Sequence, residues 1–153
     1  MNTQFTSITP DCQEFAELRA QSIAAGFNML RRLDENWQSG LNRFDRPGEK
    51  LLGAYIGGLL VGVCGLNIDP FSSHVTRSGR LRHFYIDEKW RRKQVGSKLL
   101  REILKGADHW FDLINTNAPS TAFAFYTQAG FGVISDIDKV THRLYLKIAS
   151  RKL

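Results

Sequence analysis

The sequence predicts one domain of the mixed α/β (α+β) class, in which helices cover the faces of a single sheet. Runs with strand or helix periodicity follow one another in the order β-α-α-β-β-β-α-β-α-β-β, which is typical of a layered architecture. The length of 153 residues suits one hydrophobic core. No internal repeat or linker divides residues 1–153, so a single domain is expected.

The first third of the chain is predicted to form a strand and two helices. The alternation of residues 4–9 is typical of a short strand that ends before Pro10. Asp11 is suited to cap a first helix over about residues 12–24, because its carboxylate can accept from backbone N–H groups. A second helix is expected over about residues 28–38, and the Ser-Gly pair that follows should end it.

The middle of the chain is predicted to be three strands. Residues 51–56 and 59–68 are apolar runs joined by Gly57-Gly58, and this pattern indicates a β-hairpin. A polar loop follows, and residues 80–86 predict the next strand.

The last third is predicted to alternate helices and strands. After Trp90 a helix is expected, with Leu99, Leu100, Ile103 and Leu104 on one face. The remaining predicted elements are a strand over residues 110–115, a helix over 120–128, and two closing antiparallel strands over 131–134 and 141–148. Gly130 is suited to the left-handed conformation that often follows a helix end.

The positive charge of the chain is concentrated in one segment. The net charge is +6. Between Arg77 and Arg101 there are nine Lys or Arg residues and two acidic residues, so this segment carries +7 and the rest of the chain sums to −1. A local cluster favours a local anionic partner over a general affinity for nucleic acid, since stacking aromatic residues are few there.

Several other classes of protein are not indicated. No apolar run is long enough for a membrane-spanning helix, and the first residues lack the pattern of a secretory signal, so a cytoplasmic protein is the default expectation. Cys12 and Cys64 have no metal-ligand spacing and are expected to be free thiols. The four histidines are scattered, so no metal site is predicted.

The segment FYIDEKWRRKQVGSKLL, residues 84–100, places basic residues directly before a helix. The first N–H groups of a helix have no partner within it and attract anions. Gly96 leaves room for a phosphate group and Ser97 adds a hydroxyl donor, while Arg91, Arg92 and Lys93 add positive charge. A helix capped by its own Ser97, with a solvated basic loop before it, would explain the same pattern.

Two segments resemble the GNAT superfamily of N-acetyltransferases. Residues 84–100 are similar to its acetyl-CoA-binding segment, in which a strand and an acidic turn precede Arg/Gln-x-x-Gly-x-Gly/Ala. Arg91 and Gly96 match that motif, whereas Gln94 replaces its middle glycine and is expected to adopt an αR conformation. Residues 120–131 are similar to the family's A-x-x-F-Y-x-x-x-G-F segment, with matches at Ala122, Phe125, Tyr126, Gly130 and Phe131.

The resemblance implies a fold and a reaction. The fold would be a mostly antiparallel sheet of about seven strands with about four helices, in which the fourth strand splays away from the fifth. The reaction would be acetyl transfer from acetyl-CoA to a small-molecule or peptide amine, in a ternary complex and without a metal ion. A non-catalytic acyl-CoA sensor of the same fold is the alternative, motivated by Gln94 and Pro119. No nucleic-acid or membrane partner is expected, and a homodimer is left open.

The resemblance also implies the cofactor-binding residues. The main chain of Phe84 and Ile86 would contact the pantetheine arm, and residues 92–97 would hold the diphosphate. The N–H of Ile86 would polarise the thioester carbonyl. The full set is Phe84, Tyr85, Ile86, Arg91, Arg92, Lys93, Gln94, Val95, Gly96, Ser97, Asn117 and Tyr126.

The catalytic residues implied are Tyr126 and His83. Tyr126 matches the tyrosine that protonates the departing thiolate, since a phenol can donate a proton at neutral pH. Many relatives carry a glutamate base where this chain has Arg80, so His83 or an ordered water chain would take the amine's proton. Asn117 either contacts pantetheine or caps the following helix.

The resemblance also implies an acceptor pocket built from the first two helices, the loop after them and the late hairpin. The residues nominated to line it are Phe27, Trp37, Arg43, Phe44, Asp45 and Phe71, the last from the loop over residues 69–74. Asp34, Glu35 and Asp45 are either groups that attract a cationic amine or ordinary acidic residues of the surface. The sequence does not identify the acceptor.

Overall fold

A computed structural model of the chain describes residues 2–72 and 77–146. The strands in these ranges are β1 (Thr3–Ser7), β2 (Lys50–Ile56), β3 (Leu59–Ile68), β4 (Ser78–Ile86), β5 (Leu113–Thr116), β6 (Gly132–Val133) and β7 (His142–Tyr145). The α-helices are α1 (Gln13–Ala24), α2 (Met29–Ser39), α3 (Val95–Leu104) and α4 (Phe123–Gln128). Three 3-10 turns span Glu88–Trp90, Ala107–His109 and Ser120–Ala122.

The strands form one sheet in the order β1-β2-β3-β4-β5-β7-β6. All neighbouring pairs are antiparallel except β4 and β5, which are parallel. The predicted fold class is therefore confirmed, including the hairpin of β2 and β3 around Gly57-Gly58. Among the described residues, no helix combines the length and apolar character needed to cross a bilayer.

The predicted elements are present, with differences at their ends. Asp11 does not cap α1: Cys12 occupies the capping position, and the Asp11 carboxylate accepts from the Thr9 hydroxyl. β5 begins at Leu113 and not at Trp110, because Trp110 closes the preceding 3-10 turn through its N–H to Ala107. The predicted end of the last strand, residues 147–148, lies outside the described residues.

Helices cover both faces of the sheet. One face packs against α3 and α4 through a cluster that includes Leu99 and Ile103, both fully buried. The other face packs against α1 and α2 through a cluster that includes Phe15 and Leu33. β3 is apolar almost throughout because it lies in the middle of the sheet and is covered on both faces.

β4 and β5 separate soon after they meet. Their pairing comprises Ser78 with Leu113, Gly79 with Ile114, and Arg80 with Asn115. Beyond this point β4 continues to Ile86 without a described strand partner on that side, which confirms the predicted splay. The separation opens a wedge whose edge is the unpaired main chain of β4.

A network of buried polar groups fixes the last position at which β4 and β5 pair. Nε of Arg80 donates to Asp69 at 3.0 Å, and the side-chain amide of Asn115 donates to the other oxygen of Asp69 at 2.8 Å. Arg143 of β7 donates to the Asn115 carbonyl oxygen at 2.7 Å. The network therefore joins the end of β3 to β4, β5 and β7.

A β-bulge interrupts β4 next to the wedge. Val63 pairs with Tyr85 and Gly65 pairs with Arg82, so Cys64 alone faces His83 and Phe84. His83 has φ of 59°, the left-handed conformation of an inserted bulge residue. The bulge shifts the alternation of the strand by one residue.

Candidate functional site

The wedge between β4 and β5 holds a cleft with two lobes. The α3 lobe has a volume of about 680 Å³ and extends to the start of α3. The β4 lobe has a volume of about 640 Å³ and extends along β4 to Arg80. The two lobes meet at residues that line both of them: Phe27, Met29, Phe84, Pro119 and Tyr126.

Most of the predicted cofactor-binding residues line the α3 lobe. They are Phe84, Tyr85, Ile86, Arg91, Arg92, Gln94, Gly96, Ser97 and Tyr126. Lys93 is exposed and lines neither lobe, and Val95 is buried in the core. Asn117 lines the β4 lobe and caps no helix, since no side chain caps α4 or the 3-10 turn before it.

The start of α3 presents free backbone donors to the α3 lobe. Lys98 makes the first backbone bond of the helix, to the carbonyl of Gln94 at 3.1 Å. The N–H groups of residues 95–97 therefore have no intrahelical acceptor. No side chain caps the helix, so the alternative of a helix capped by Ser97 is wrong.

The turn before α3 is left-handed at two positions. Gln94 has φ of 67° and ψ of 10°, so the expected αR conformation is wrong. Arg92 has φ of 62°, and Lys93 between them does not have a positive φ. An alternation in the sign of φ turns successive N–H groups toward one side, and such concave turns bind anions. Gln94 thus follows the backbone path that a glycine would follow.

Packing within the protein does not require a glycine at position 96. A Cβ built on Gly96 would lie 3.5 Å from Phe125 and 3.7 Å from Ile86, which are ordinary contact distances. Its φ is not in the left-handed range. The open surface above Gly96 faces the α3 lobe, where a Cβ would occupy space beside the free N–H groups.

Arg91 is held at the rim of the α3 lobe. Its Nε donates to the carbonyl of Ile86 at 3.0 Å, and its guanidinium lies 5.3 Å from the ring centre of Tyr85 and 5.9 Å from that of Phe27. These contacts fix one positive charge beside the cleft without an acidic partner among the described residues.

The main chain at the end of β4 turns one donor toward the wedge. The N–H of Asp87 donates to Val61 of β3 at 2.8 Å. Since consecutive N–H groups of a strand point to opposite edges, the N–H of Ile86 faces away from β3. That side is the unpaired edge of β4.

Tyr126 lies where the two lobes meet. It is 5% exposed and packs edge to face against Phe84, Phe125 and Phe131. Burial raises the pKa of its phenol, the Cys64 thiol adds to that rise, and a hydrogen bond with Thr116 acts in the opposite direction. Tyr126 is therefore a neutral phenol across the physiological pH range.

His83 is a weak base in this structure. Its Nδ1 lies 2.9 Å from the carbonyl of Met29, so Nδ1 carries the proton of the neutral ring. Burial, and then the nearby charge of Arg82, lower its pKa to about 4. Nε2 is buried with no hydrogen-bond partner among the described residues.

Two of the six residues nominated for the acceptor pocket line the cleft. Phe27 and Phe71 line the β4 lobe. Trp37 and Arg43 line neither lobe and stack on each other at 4.9 Å. Phe44 is buried against His83, and Asp45 is exposed outside the cleft.

The predicted attraction by acidic residues is wrong for this cleft. Asp34 pairs with Arg19, and Glu35 pairs with Arg31 at 3.0 Å. Neither side chain lines either lobe. The β4 lobe is instead lined by four cationic residues, Arg32, Arg80, Arg82 and Lys139.

The sequence analysis counted Arg80 and Arg82 in the basic segment but did not assign them to the acceptor pocket, although a signal was available. Arg80 and Arg82 are two residues apart on a strand, so they face the same side. The described residues contain no group of three or more His, Cys, Asp or Glu suited to a metal ion.

The sequence and the fold both match known proteins. Residues 47–133, more than half of the chain, match the family model described as an acetyltransferase (GNAT) domain. This region contains both segments on which the predicted resemblance rests, so the resemblance is confirmed. Over 109 residues the chain is 35% identical to the L-amino acid N-acetyltransferase AaaT of Escherichia coli K12, a match that covers 65% of this chain and 62% of that protein.

Solved structures share the fold. A proposed acetyltransferase from Exiguobacterium sp. 255-15 superposes with a TM-score of 0.81 at 24% identity, covering 95% of this chain and 94% of that one. The PaiA N-acetyltransferase of Thermoplasma acidophilum, solved in complex with coenzyme A, gives 0.68 at 19% identity, covering 95% and 100%. At these identities the likeness is one of fold.

Replacing Gln94 with glycine tests the left-handed turn. We expect Gln94→Gly to keep the free energy of unfolding or to raise it by up to about 1 kcal/mol, because glycine adopts positive φ without a steric penalty. Lys98→Gly, inside α3, is the control and should lower the free energy of unfolding by about 1 kcal/mol. Urea denaturation measures both. Equal losses in the two variants would contradict the left-handed assignment.

Replacing His83 tests its low pKa. The unfolded chain binds a proton at the ordinary pKa of 6.5 and the folded chain only at about 4, so stability falls as the pH drops between these values. We expect this histidine to lower the free energy of unfolding by about 3 kcal/mol as the pH falls through that window. The His83→Asn variant should not show this loss. Asparagine is chosen because it tolerates positive φ. His109→Asn, at an exposed site, should keep the parent's pH dependence in urea denaturation.

Proposed function

This chain belongs to the GNAT acetyltransferase family, and from that premise we propose that it transfers an acetyl group from acetyl-CoA to a primary amine. The amine nitrogen attacks the thioester directly, in a ternary complex. One observation carries the proposal: free N–H groups at the start of α3 share a lobe with the unpaired edge of β4 and with Tyr126. The diphosphate of acetyl-CoA requires free N–H donors, and its amide-containing pantetheine arm requires an unpaired strand edge.

The start of α3 fits a diphosphate. The free N–H groups of residues 95–97 donate to its oxygens, and the exposed surface of Gly96 lets those oxygens approach. The Ser97 hydroxyl and the Arg92 side chain line the same lobe and add a donor and a charge. Gln94 is compatible with this role because its backbone follows the left-handed path of the family's glycine.

The edge of β4 fits the pantetheine arm. The main chain of Phe84 and Ile86 offers hydrogen-bonding groups that no described strand uses on this side. Asn117 lines the adjoining lobe and supplies an amide to the same arm. Acetyl-CoA supplies an activated thioester carbonyl, and the N–H of Ile86 donates to the oxygen of that carbonyl.

Tyr126 acts as the general acid. When the new C–N bond forms and the C–S bond breaks, the sulfur leaves with the electron pair and takes the phenolic proton. The raised pKa of Tyr126 keeps that proton in place until it is needed. Water then returns a proton to the phenolate, while the amine's proton leaves to solvent.

The amine loses its proton to water in the β4 lobe and not to His83. A histidine with a pKa of about 4 holds a proton too weakly to take one from an ammonium group. The ring is also tied to the carbonyl of Met29 and shielded from solvent. Holding amine and thioester together in the cleft supplies much of the rate enhancement without a dedicated base.

Turnover separates an enzyme from the alternative, an acyl-CoA sensor. We expect CoA release from acetyl-CoA with at least one amine of a panel, with free L-amino acids tested first because the Escherichia coli relative is named for them. Tyr126→Phe should lower kcat about 10²-fold and leave the Kd for acetyl-CoA within about twofold. Tyr145→Phe, at an exposed tyrosine of β7, is the control and should match the parent. Tight acetyl-CoA binding without turnover on any amine would favour the sensor.

A variant of Gly96 tests the diphosphate contact. We expect Gly96→Ala to keep or slightly raise the free energy of unfolding, because the Cβ meets no close atom and alanine favours helix. The same Cβ should weaken acetyl-CoA binding about tenfold, a loss of about 1.4 kcal/mol. Arg101→Ala, one turn along α3, is the control and should leave the Kd unchanged. Titration calorimetry measures the affinity; an unchanged Kd in Gly96→Ala would rule out diphosphate binding there.

A further inference from the structure

We propose that the acceptor amine carries a carboxylate, and that Arg82 and Arg32 bind it in the β4 lobe. The inference rests on the proposed function, because it assigns the acceptor to this lobe. It adds a carboxylate-binding subsite with named residues, which would select amino acids among the possible amine acceptors.

The β4 lobe has an excess of positive charge. Arg32, Arg80, Arg82 and Lys139 line it, and no described aspartate or glutamate does. Of the four, Arg80 has an ion-pair partner behind the lobe, the buried Asp69 at 3.0 Å. A lobe lined by four cationic residues and by no described acidic residue is suited to an anionic ligand.

Arg82 lines the lobe without a direct partner for its charge in the described part of the chain. Its guanidinium has no hydrogen bond or ion pair with any described residue, although it is partly buried. Burial lowers its pKa, and the charges of Arg80 and Arg32 lower it further, while the charges of Asp69 and Glu49 act in the opposite direction. An anion bound between Arg82 and Arg32 would relieve this repulsion, and the planar fork of an arginine matches a carboxylate.

One unused donor belongs to a residue that lines the same lobe. Nη2 of Arg80 is buried and has no acceptor among the described residues, although Nε and Nη1 of the same group are bonded to Asp69 and to the carbonyl of Lys139. The Arg80 side chain is 5% exposed. A buried guanidinium nitrogen without an acceptor is costly, so an oxygen-bearing ligand in the lobe would complete it.

The position of the lobe requires that the anion belongs to the acceptor. The α3 lobe has its own phosphate-binding features at the opposite end of the cleft. The β4 lobe reaches Tyr126 from the other side, so a molecule in it presents its amine at the junction and its remaining groups to Arg82. A volume of about 640 Å³ accommodates a free amino acid.

Product binding tests the subsite independently of turnover. With saturating CoA, we expect N-acetylglycine, N-acetyl-L-leucine or N-acetyl-L-phenylalanine to bind at least about tenfold more tightly than its carboxamide. Arg82→Gln should reduce this ratio to below about threefold, while Arg82→Lys, which keeps the charge, should retain most of it. Titration calorimetry measures each Kd. Equal affinity for acids and carboxamides, or a ratio unaffected by Arg82→Gln, overturns the proposal.

A pair of neighbouring arginines on α2 provides the matched control. Arg32 lines the β4 lobe, whereas Arg31 faces outward and pairs with Glu35. Arg32→Gln should raise the KM for an amino acid at least about fivefold and leave the KM for the corresponding amino amide unchanged. Arg31→Gln should change neither KM. A preference for phosphoethanolamine over every amino acid would also overturn the carboxylate assignment.

The two proposals fail in different ways. If acids bind better than carboxamides through Arg82 but no amine is acetylated, the proposed transfer fails and the carboxylate subsite stands. If amino amides are acetylated as efficiently as amino acids, the transfer stands and the carboxylate subsite fails.

Discussion

The cleft depends on where the pairing of β4 with β5 stops. The buried network around Asp69 holds that point, because it ties Arg80 on one strand to Asn115 on the other at their last paired position. Breaking a buried pair by removing one partner is far more costly than the net contribution of the intact pair, so the network resists sliding of the strands. A longer pairing would close the wedge, and a shorter one would expose the network to water.

The same strand serves both lobes because of its bulge. Leu81, Phe84 and Ile86 belong to the core cluster on the α3 face, whereas Tyr85 belongs to the cluster on the α1 and α2 face. Arg82 lies near Arg32 of α2. Without the inserted His83, the residues beyond it would change faces. One local irregularity therefore allows cations at one end of β4 and an apolar, backbone-binding edge at the other.

Local patterns were sufficient to predict much of the molecule. The Gly-Gly hairpin, the amphipathic α3 and the motif around Tyr126 are encoded by neighbouring residues, and the structure contains all three. The conformation of Gln94 was not predictable from residue type, since side chains other than glycine rarely adopt positive φ. The bulge at His83 requires knowledge of Cys64 on the facing strand, and the pairing of Asp34 with Arg19 requires the packing of α1 on α2. These long-range contacts decide which charges remain free for the cleft.

The residues that line both lobes bear on the length of the acyl group that the donor can carry. Phe27, Met29, Phe84, Pro119 and Tyr126 line both volumes, so the two lobes adjoin at these residues. With the thioester at Tyr126 as proposed, every carbon added to an acyl group beyond acetyl extends into the space of the acceptor. The acyl chain of the donor and the acceptor therefore compete for the same space. A mutation that enlarges the β4 lobe would relax the selectivity for acyl-chain length and the selectivity for acceptor size together.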